Sequence, residues 1–445
     1  MWNLRTNNKT SHPLLYGTLI LTLTGLISRV IGFFYRIYLS RLFGEEGMGL
    51  YQLLSPILSI SFSLTAAGFQ TAISKLVAEI TAKSRANHFR PLWTGLLIST
   101  PLSVLLTAFV YLFADQIGTY YLQEPRTIPL LKVLAFSIPF SSMHACVNGY
   151  FYGQKKAGIP ASSQLVEQAI RVGCVYICTT HPALSERLPS ILSAVLGLTV
   201  GEICSMLFAA IPLLFTLKGY RSTPISTTHR QTAVQMMSMV LPLTANRIAL
   251  NILQSIEAVS LPAGLRNYGY DNATALRVYG VFTGMALPFI FFPNALTSSI
   301  SILLLPEISE NHALGKIDVV KNTTKKTIQY CGSLGILSMF FFLFSGRWLG
   351  NTVFESPLAG YFISTLSFIC PFLYLDTTLS GILQGLGKVG HIFLINLGGL
   401  ALRLAFVFFA VPTIGMTGYL WGVLACQLFV CICFLLTLKK DLHLF

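Results

Sequence analysis

The sequence predicts an all-α polytopic membrane protein: about twelve transmembrane helices in two pseudo-symmetric six-helix lobes. Three observations carry this expectation. Of the 445 residues, 53% are hydrophobic and only 10% charged, with a mean hydropathy of +0.67; a soluble domain carries about a quarter charged residues. The hydrophobic residues come in runs of roughly 20 or more, the length that crosses ~30 Å of hydrocarbon at ~1.5 Å per residue. The second half of the chain also repeats motifs of the first at a nearly constant shift. Short alternating segments of the kind that build a transmembrane barrel are not seen.

The runs place spans at 14–39, 48–78, 91–114, 128–152, 162–180, 190–217, 233–262, 277–306, 327–348, 358–382, 390–411 and 414–438. The first follows a polar segment of 13 residues and has no small-residue cleavage site after it, so it reads as a span and not a signal peptide. It holds Arg29 and Arg36, and Arg41 closes it. The second carries Pro56 and Lys75, the fourth Pro139, the fifth Glu167 and Arg171, and the sixth Glu202. The seventh contains Pro242 and the polar series Asn246, Arg247, Asn251, Gln254 and Glu257. Pro288 and Pro293 interrupt the eighth, Pro371 and Asp376 lie in the tenth, and the eleventh holds Gly398, Gly399 and Arg403. Prolines inside spans free backbone carbonyls and permit bends, and small residues let helices approach closely.

A net charge of +14 raises the question of nucleic acid, and the distribution answers it. One set of loops carries seventeen Lys and Arg, among them Lys83, Lys155, Lys156, Lys316 and Lys388. The opposite set carries seven, among them Arg41, Arg126, Arg266 and Arg277. Positive residues are retained on the cytoplasmic side, so both termini are expected there, in a multi-pass cell-membrane protein. The basic excess reports topology and attraction to anionic membrane lipids, with no nucleic acid partner. The nine cysteines lie in or beside spans, form no CxxC pair and show no zinc spacing, and they read as small buried thiols.

The repeat is specific. A shift of 228 lays "LYQLLSPIL" (Leu50 to Leu58) on "VYGVFTGMA" (Val278 to Ala286) and Glu79 on Glu307. A shift of 232 lays "PFSSMHACVNGYFYGQKKAG" (Pro139 to Gly158) on "PFLYLDTTLSGILQGLGKVG" (Pro371 to Gly390) and Arg171 on Arg403. Each copy holds six spans, so both keep one orientation, related by an axis along the membrane normal. The expected lobes are 1–220 and 231–445, joined by a cytoplasmic linker at 221–230. Carriers that alternate access place the substrate between such lobes.

Charged residues inside spans cost a few kcal/mol and normally face a cavity or a partner. Arg29 and Arg36 are seven apart, close to two helical turns, and share a face. Asn246, Arg247, Gln254 and Glu257 form a comparable stripe in the seventh span, with Glu257 at the repeat position of Arg29. Both stripes are expected to line one central cavity. Arg29 paired with Glu257 is the alternative. Lys75 either lines that cavity or snorkels to the cytoplasmic surface. Glu167 and Arg171 have the spacing of an intrahelical ion pair. With Arg403 and Asp376 they are gating or ion-coupling candidates. Arginine binds multi-oxygen anions through paired donors, so an arginine-rich cavity suggests phosphate or pyrophosphate. No Walker loop, GxGxxG, nucleophile elbow, HExxH or DxD motif lies in a convincing context. The chain is expected to be neither an ATPase nor another enzyme, and to need no cofactor beyond an unassigned coupling cation, H⁺ or Na⁺.

At "SRVIGFFYRIYLSRLFGEEGMGLYQLLSP", "FQTAISKLVAE", "RIALNILQSIEAVSLP" and "YGVFTGMALPFIFFPNALTSSISILLLPEIS" the sequence resembles the stage V sporulation protein B family. That family is a branch of the multidrug/oligosaccharidyl-lipid/polysaccharide exporter superfamily, which also contains the lipid II flippases. The resemblance implies a V-shaped carrier that moves an undecaprenyl-pyrophosphate-linked glycan, such as lipid II or a polysaccharide repeat unit, between leaflets. The family's first-helix arginine carries over to Arg29, and a nearby second one to Arg36. The eighth-helix arginine of the lipid II flippases finds no match in "GMALPFIFFP", and Arg247 is expected to take its part. The substrate set is therefore Arg29, Arg36, Lys75, Arg247, Asn246, Gln254 and Glu257, in a protein expected to work as a monomer. A cation-coupled multidrug antiporter of the same fold is the rival. It would favour acidic cavity residues, whereas the first helix here is cationic. A membrane glycosyltransferase would need long extracytoplasmic loops, and these loops are short.

Overall fold

The computed structural model describes residues 13–83, 88–181, 190–218 and 229–442. Among these residues every regular element is a helix. The first half of the chain supplies α1 (Pro13–Gln52), α2 (Ser55–Ala82), α3 (Arg90–Leu112) and α4, a pair Pro125–Ala135 and Ser137–Gly153 bent by 43°. It continues with α5 (Gly158–Thr180) and α6 (Ser190–Leu217). The second half supplies α7 (Arg230–Tyr268), α8 (Asn272–Phe291) and α9 (Asn294–Ala313). It ends with α10 (Ile317–Val353), α11 (Pro357–Gly385), α12 (Val389–Phe409) and α13 (Met416–Asp441). Most of the expected linker falls outside the described residues.

Nine of these helices are long and apolar enough to cross a membrane, and the bent α4 pair makes a tenth. The expected count of about twelve would need α1 and α5 as well, whose 40 and 23 residues suffice in length. Their apolarity is diluted by Arg29 and Arg36 on α1, and by Gln164, Glu167, Gln168 and Arg171 on α5. The polar side chains that a hydropathy window penalises are thus the ones with somewhere to point.

Several sequence punctuation marks act where expected. Pro56, Pro288 and Pro371 each sit in the first turn of a restarted helical segment, and Pro293 fills the break between α8 and α9. A proline has no N–H to give, and the first turn needs none. The expected loop between the first two spans is different. The helix α1 runs on to Gln52, with one non-helical residue, Gly44, at φ +67°. That left-handed backbone suits a residue without Cβ.

Within the first half, α5 packs on α6, and α2, α3 and α6 surround the second segment of α4. Within the second, α9 and α10 pack on α11, and α12 and α13 pack on each other. Two helices cross over. The far end of α1 packs on α8, so Leu39, Met48 and Leu53 join a core with Phe282, Phe362 and Tyr374. The start of α7 returns the exchange, placing Met236 and Val240 among Phe69, Ile73, Tyr150 and Phe151. The α1–α8 crossing is a backbone contact. A Cβ added to Gly49 would lie 2.1 Å from the Leu276 carbonyl oxygen, and one added to Gly280 would lie 2.3 Å from that of Glu45.

Candidate functional site

One cavity of about 690 Å³ opens between the halves. The face of α1 that carries Arg29, Gly32, Phe33 and Arg36 forms one wall, as positions three, four and seven apart on a helix must. Tyr51 and Gln52 extend it, and α5 adds Gln168 and Arg171. The opposite wall is Thr283, Leu287, Pro288, Phe291 and Phe292 from α8, then Asn294, Ala295 and Ser298 from α9. Among the described residues, three guanidinium groups line this space and no carboxylate does.

The three arginines are held differently. Arg29 donates from Nη1 to the Ser298 hydroxyl, a contact between the halves. Arg36 forms no ion pair among the described residues, and its side chain stands accessible inside the cavity. Arg171 pairs with Glu167 one helical turn away on α5, as their spacing predicts. A guanidinium presents donors in a fixed fork that fits two oxygens of a phosphate at once. The ring of Phe33 contacts those of Phe289 and Phe292 beside Arg29 and Arg36, with Phe33 and Phe292 centroids 4.6 Å apart. The site therefore combines a fixed cationic patch with an apolar, aromatic margin.

The remaining sequence candidates lie elsewhere. Asn246, Arg247 and Gln254 are exposed on α7 and line no part of the arginine cavity. It is Arg171, a residue expected to act in gating, that supplies the third guanidinium. Lys75 is exposed near the end of α2, 4.0 Å from Glu79. Glu257 corrects an expectation, because it meets neither Arg29 nor the cavity. It accepts from Arg403 Nη2 at 2.6 Å and from the Tyr419 hydroxyl at 2.6 Å, buried among α7, α12 and α13. Arg403, with no acidic residue one turn away on its own helix, thus finds its partner on α7. Periodicity orders the faces of one helix but does not say which helix comes to meet them. Asp376 on α11 is buried, beside the Cys431 thiol of α13.

Sequence reasoning missed Gln168 and Ser298, since a lone amide or hydroxyl in a span carries no signal of its own. It also missed a polar belt at the lysine-poor end of the bundle, the end where α1 finishes. There Glu45 accepts from Arg277 and from Ser356, and Arg41 donates to the Val353 and Thr352 carbonyls at 2.9 and 3.0 Å. Glu124 accepts from Arg126 at 2.7 Å and from Asn272 at 2.8 Å, and Arg266 donates to Gln123. Burial pushes the Glu124 carboxyl up, yet the hydrogen bonds from Arg126 and Asn272 outweigh it and hold the group below the ordinary carboxylate range. Residues 41–46 and 123–126 are thereby tied to residues 266–277 and 352–356 across the halves. The Gly49–Gly280 crossing and this belt both stand between the arginine cavity and the lysine-poor end.

Comparison with known proteins bears on the family and the fold. A family model described as polysaccharide biosynthesis protein matches residues 14–312. Stage V sporulation protein B of Bacillus subtilis (strain 168) is 30% identical over 442 residues, spanning 96% of this chain and 84% of its own. The lipid II flippase MurJ of the same organism is 20% identical over 339 residues, spanning 72% of this chain and 62% of its own. Among solved structures, an inward-facing multidrug resistance MATE family transporter of the MOP superfamily superposes with a TM-score of 0.68 at 15% identity, covering 96% of this chain and 98% of its own. A MOP superfamily transporter from Pyrococcus furiosus gives 0.69 at 15% identity over 98% of both chains, a likeness that shows the fold. The chain belongs to the polysaccharide biosynthesis protein family and resembles stage V sporulation protein B along nearly its whole length.

Proposed function

We propose that this protein flips an undecaprenyl-pyrophosphate-linked cell-wall precursor, lipid II or a polysaccharide repeat unit, across the cytoplasmic membrane. The observation that carries the reading is the lining of the interfacial cavity: Arg29, Arg36 and Arg171, with no carboxylate among them. Such a surface attracts a doubly phosphorylated head group and repels the organic cations that a multidrug antiporter carries. The margin of Phe33, Phe291 and Phe292 suits the start of an isoprenoid tail or a sugar face.

In this reading, lobes 1–220 and 231–445 rock against each other as one monomer, with both termini cytoplasmic. The lysine-poor end is the extracytoplasmic one, and its belt of contacts closes that side while the cavity awaits a load from the cytoplasmic leaflet. Glu167 and Arg171 adjust the cavity's charge. Arg403 with Glu257 and the buried Asp376 act inside the second lobe. The gradient of a coupling cation drives the return.

The test is reconstitution into vesicles with labelled lipid II and with other undecaprenyl-pyrophosphate glycans. Each cavity arginine that makes paired, charge-assisted contacts contributes about 1.5–3 kcal/mol. Arg29→Ala and Arg36→Ala should therefore each slow flipping roughly 10- to 150-fold at subsaturating load, while Arg247→Ala should change it little. Wild-type rates in both cavity variants, or transport of organic cations in place of glycolipid, would refute the proposal.

A further inference from the structure

A second cavity of about 320 Å³ lies inside the first half, beside the first. Hydroxyls of Ser59, Ser61, Thr65, Ser137 and Ser141 line it, together with Glu202 of α6. Arg171 lines both cavities. Around it stands a compact group of ionisable side chains. His144 on α4, Glu167 on α5 and Glu202 on α6 bring one ligand atom each within 4.8 Å of one another. His144 Nδ1 is 3.8 Å from Glu202 Oε2, and the ring is only 7% exposed. Tyr35, Arg36 and Tyr51 of α1 line the larger cavity alongside Arg171.

The charges do not balance. Glu167 and Glu202 face a single permanent cation, Arg171, so with a neutral imidazole the group keeps one negative charge at membrane depth. A proton removes it. A metal ion fits less well, for three reasons visible in the geometry. Nε2 of His144 is 3.0 Å from the Ser163 hydroxyl and Nδ1 is 3.4 Å from that of Ser205, so both ring nitrogens are engaged. Arg171 already covers Glu167. A proton needs no coordination sphere, whereas an ion would have to displace the guanidinium.

We propose that His144 and Glu202, with Glu167, form a proton site that controls how firmly Arg171 is held away from the load. While both carboxylates are charged, they draw the guanidinium back toward α5 and α6. Once the group takes a proton, shared between Glu202 and His144, that pull weakens and Arg171 turns its donors to the anion in the larger cavity. Load and proton then bind cooperatively, each raising the other's affinity by the same factor. The smaller cavity gives the proton its route, since it is roomy enough for water and residues bearing hydroxyls stand along its largely apolar wall. This inference rests on the reading of the larger cavity as a pyrophosphate site.

The test is calorimetric titration of the purified full-length protein with farnesyl pyrophosphate in detergent, from pH 5.5 to 8, in two buffers of different ionisation enthalpy. In the wild type, affinity should fall by up to tenfold per pH unit beyond the change due to the ligand's own ionisation, with matching proton uptake. Glu202→Gln should keep the acid-side affinity and lose the extra slope. If that variant does not fold, wild-type uptake in excess of the ligand's own titration decides the matter alone. Replacing sodium by choline at constant pH should change nothing. Affinity that follows sodium without proton uptake overturns the proposal, as do equal slopes in wild type and variant. Absence of saturable binding at every pH overturns this proposal and the pyrophosphate reading together, whereas pH-independent binding overturns this one only.

Discussion

Arg36 and Arg403 show how one residue type serves two ends within this bundle. Arg36 faces an accessible cavity and pairs with no carboxylate among the described residues, while Arg403 is locked against Glu257 with Tyr419 sharing the carboxylate. An unpaired guanidinium is available to a ligand, and a paired one is committed to the fold. Arg36→Lys should therefore keep the charge yet lose the forked geometry, weakening farnesyl pyrophosphate binding about tenfold by calorimetry, with Arg36→Ala weaker still. Breaking the buried pair is a matter of stability. Glu257→Gln should lower the unfolding free energy by about 3–5 kcal/mol in detergent, because Arg403 is left uncompensated. Glu257→Leu combined with Arg403→Met should recover most of that loss, measured by thermal unfolding. The sequence made Arg29 and Arg36 legible as cavity residues, since two arginines on one face of an apolar helix need somewhere to point. It made Arg171 legible as the partner of Glu167 but hid its second face, which depends on α1 lying next to α5.

The element that decides most is α1. It starts in the first half, lines the cavity with residues 29–39 and ends packed in the core of the second half. That last part was illegible, because an apolar residue such as Met48 reads the same whichever half buries it. The proline restarts were legible, because the missing N–H acts locally. The crossing at Gly49 and Gly280 depends on two backbones in contact, and a single methyl there meets carbonyl oxygen at about 2 Å. Gly280→Ala should force α1 and α8 apart at an overpacking cost of about 1–3 kcal/mol. The arrangement closed at the lysine-poor end should lose population accordingly. In a cysteine-free background, a cysteine at position 356 should then react faster with a membrane-impermeant maleimide. An unchanged rate would show that the crossing does not hold this end shut.

At the scale of the whole molecule, the two ends of the bundle carry different chemistry, and that difference separates two responses to pH. The belt at the lysine-poor end contains Glu124, whose carboxyl is held below its ordinary range by Arg126 and Asn272. A carboxyl with a lowered value stabilises the folded arrangement above its ordinary pKa, about 4.3. That contribution fades as pH falls through the lower, folded value. Between pH 8 and 5 the belt should therefore be indifferent to pH, and only below about pH 4 should Asn272 and Arg126 be released. The proton site beside Arg171 is proposed to respond inside the range where the belt does not. Maleimide labelling at position 356 should thus stay flat from pH 8 to 5 in the unloaded protein, after correction for the thiol's own ionisation, while ligand affinity changes. Glu124→Gln should raise the labelling at every pH in that range, since the amide offers Arg126 no charge. Labelling that instead tracks ligand affinity from pH 8 to 5 would mean that the proton acts on the belt directly. The halves would then be gated from their outer rim, with Arg171 following.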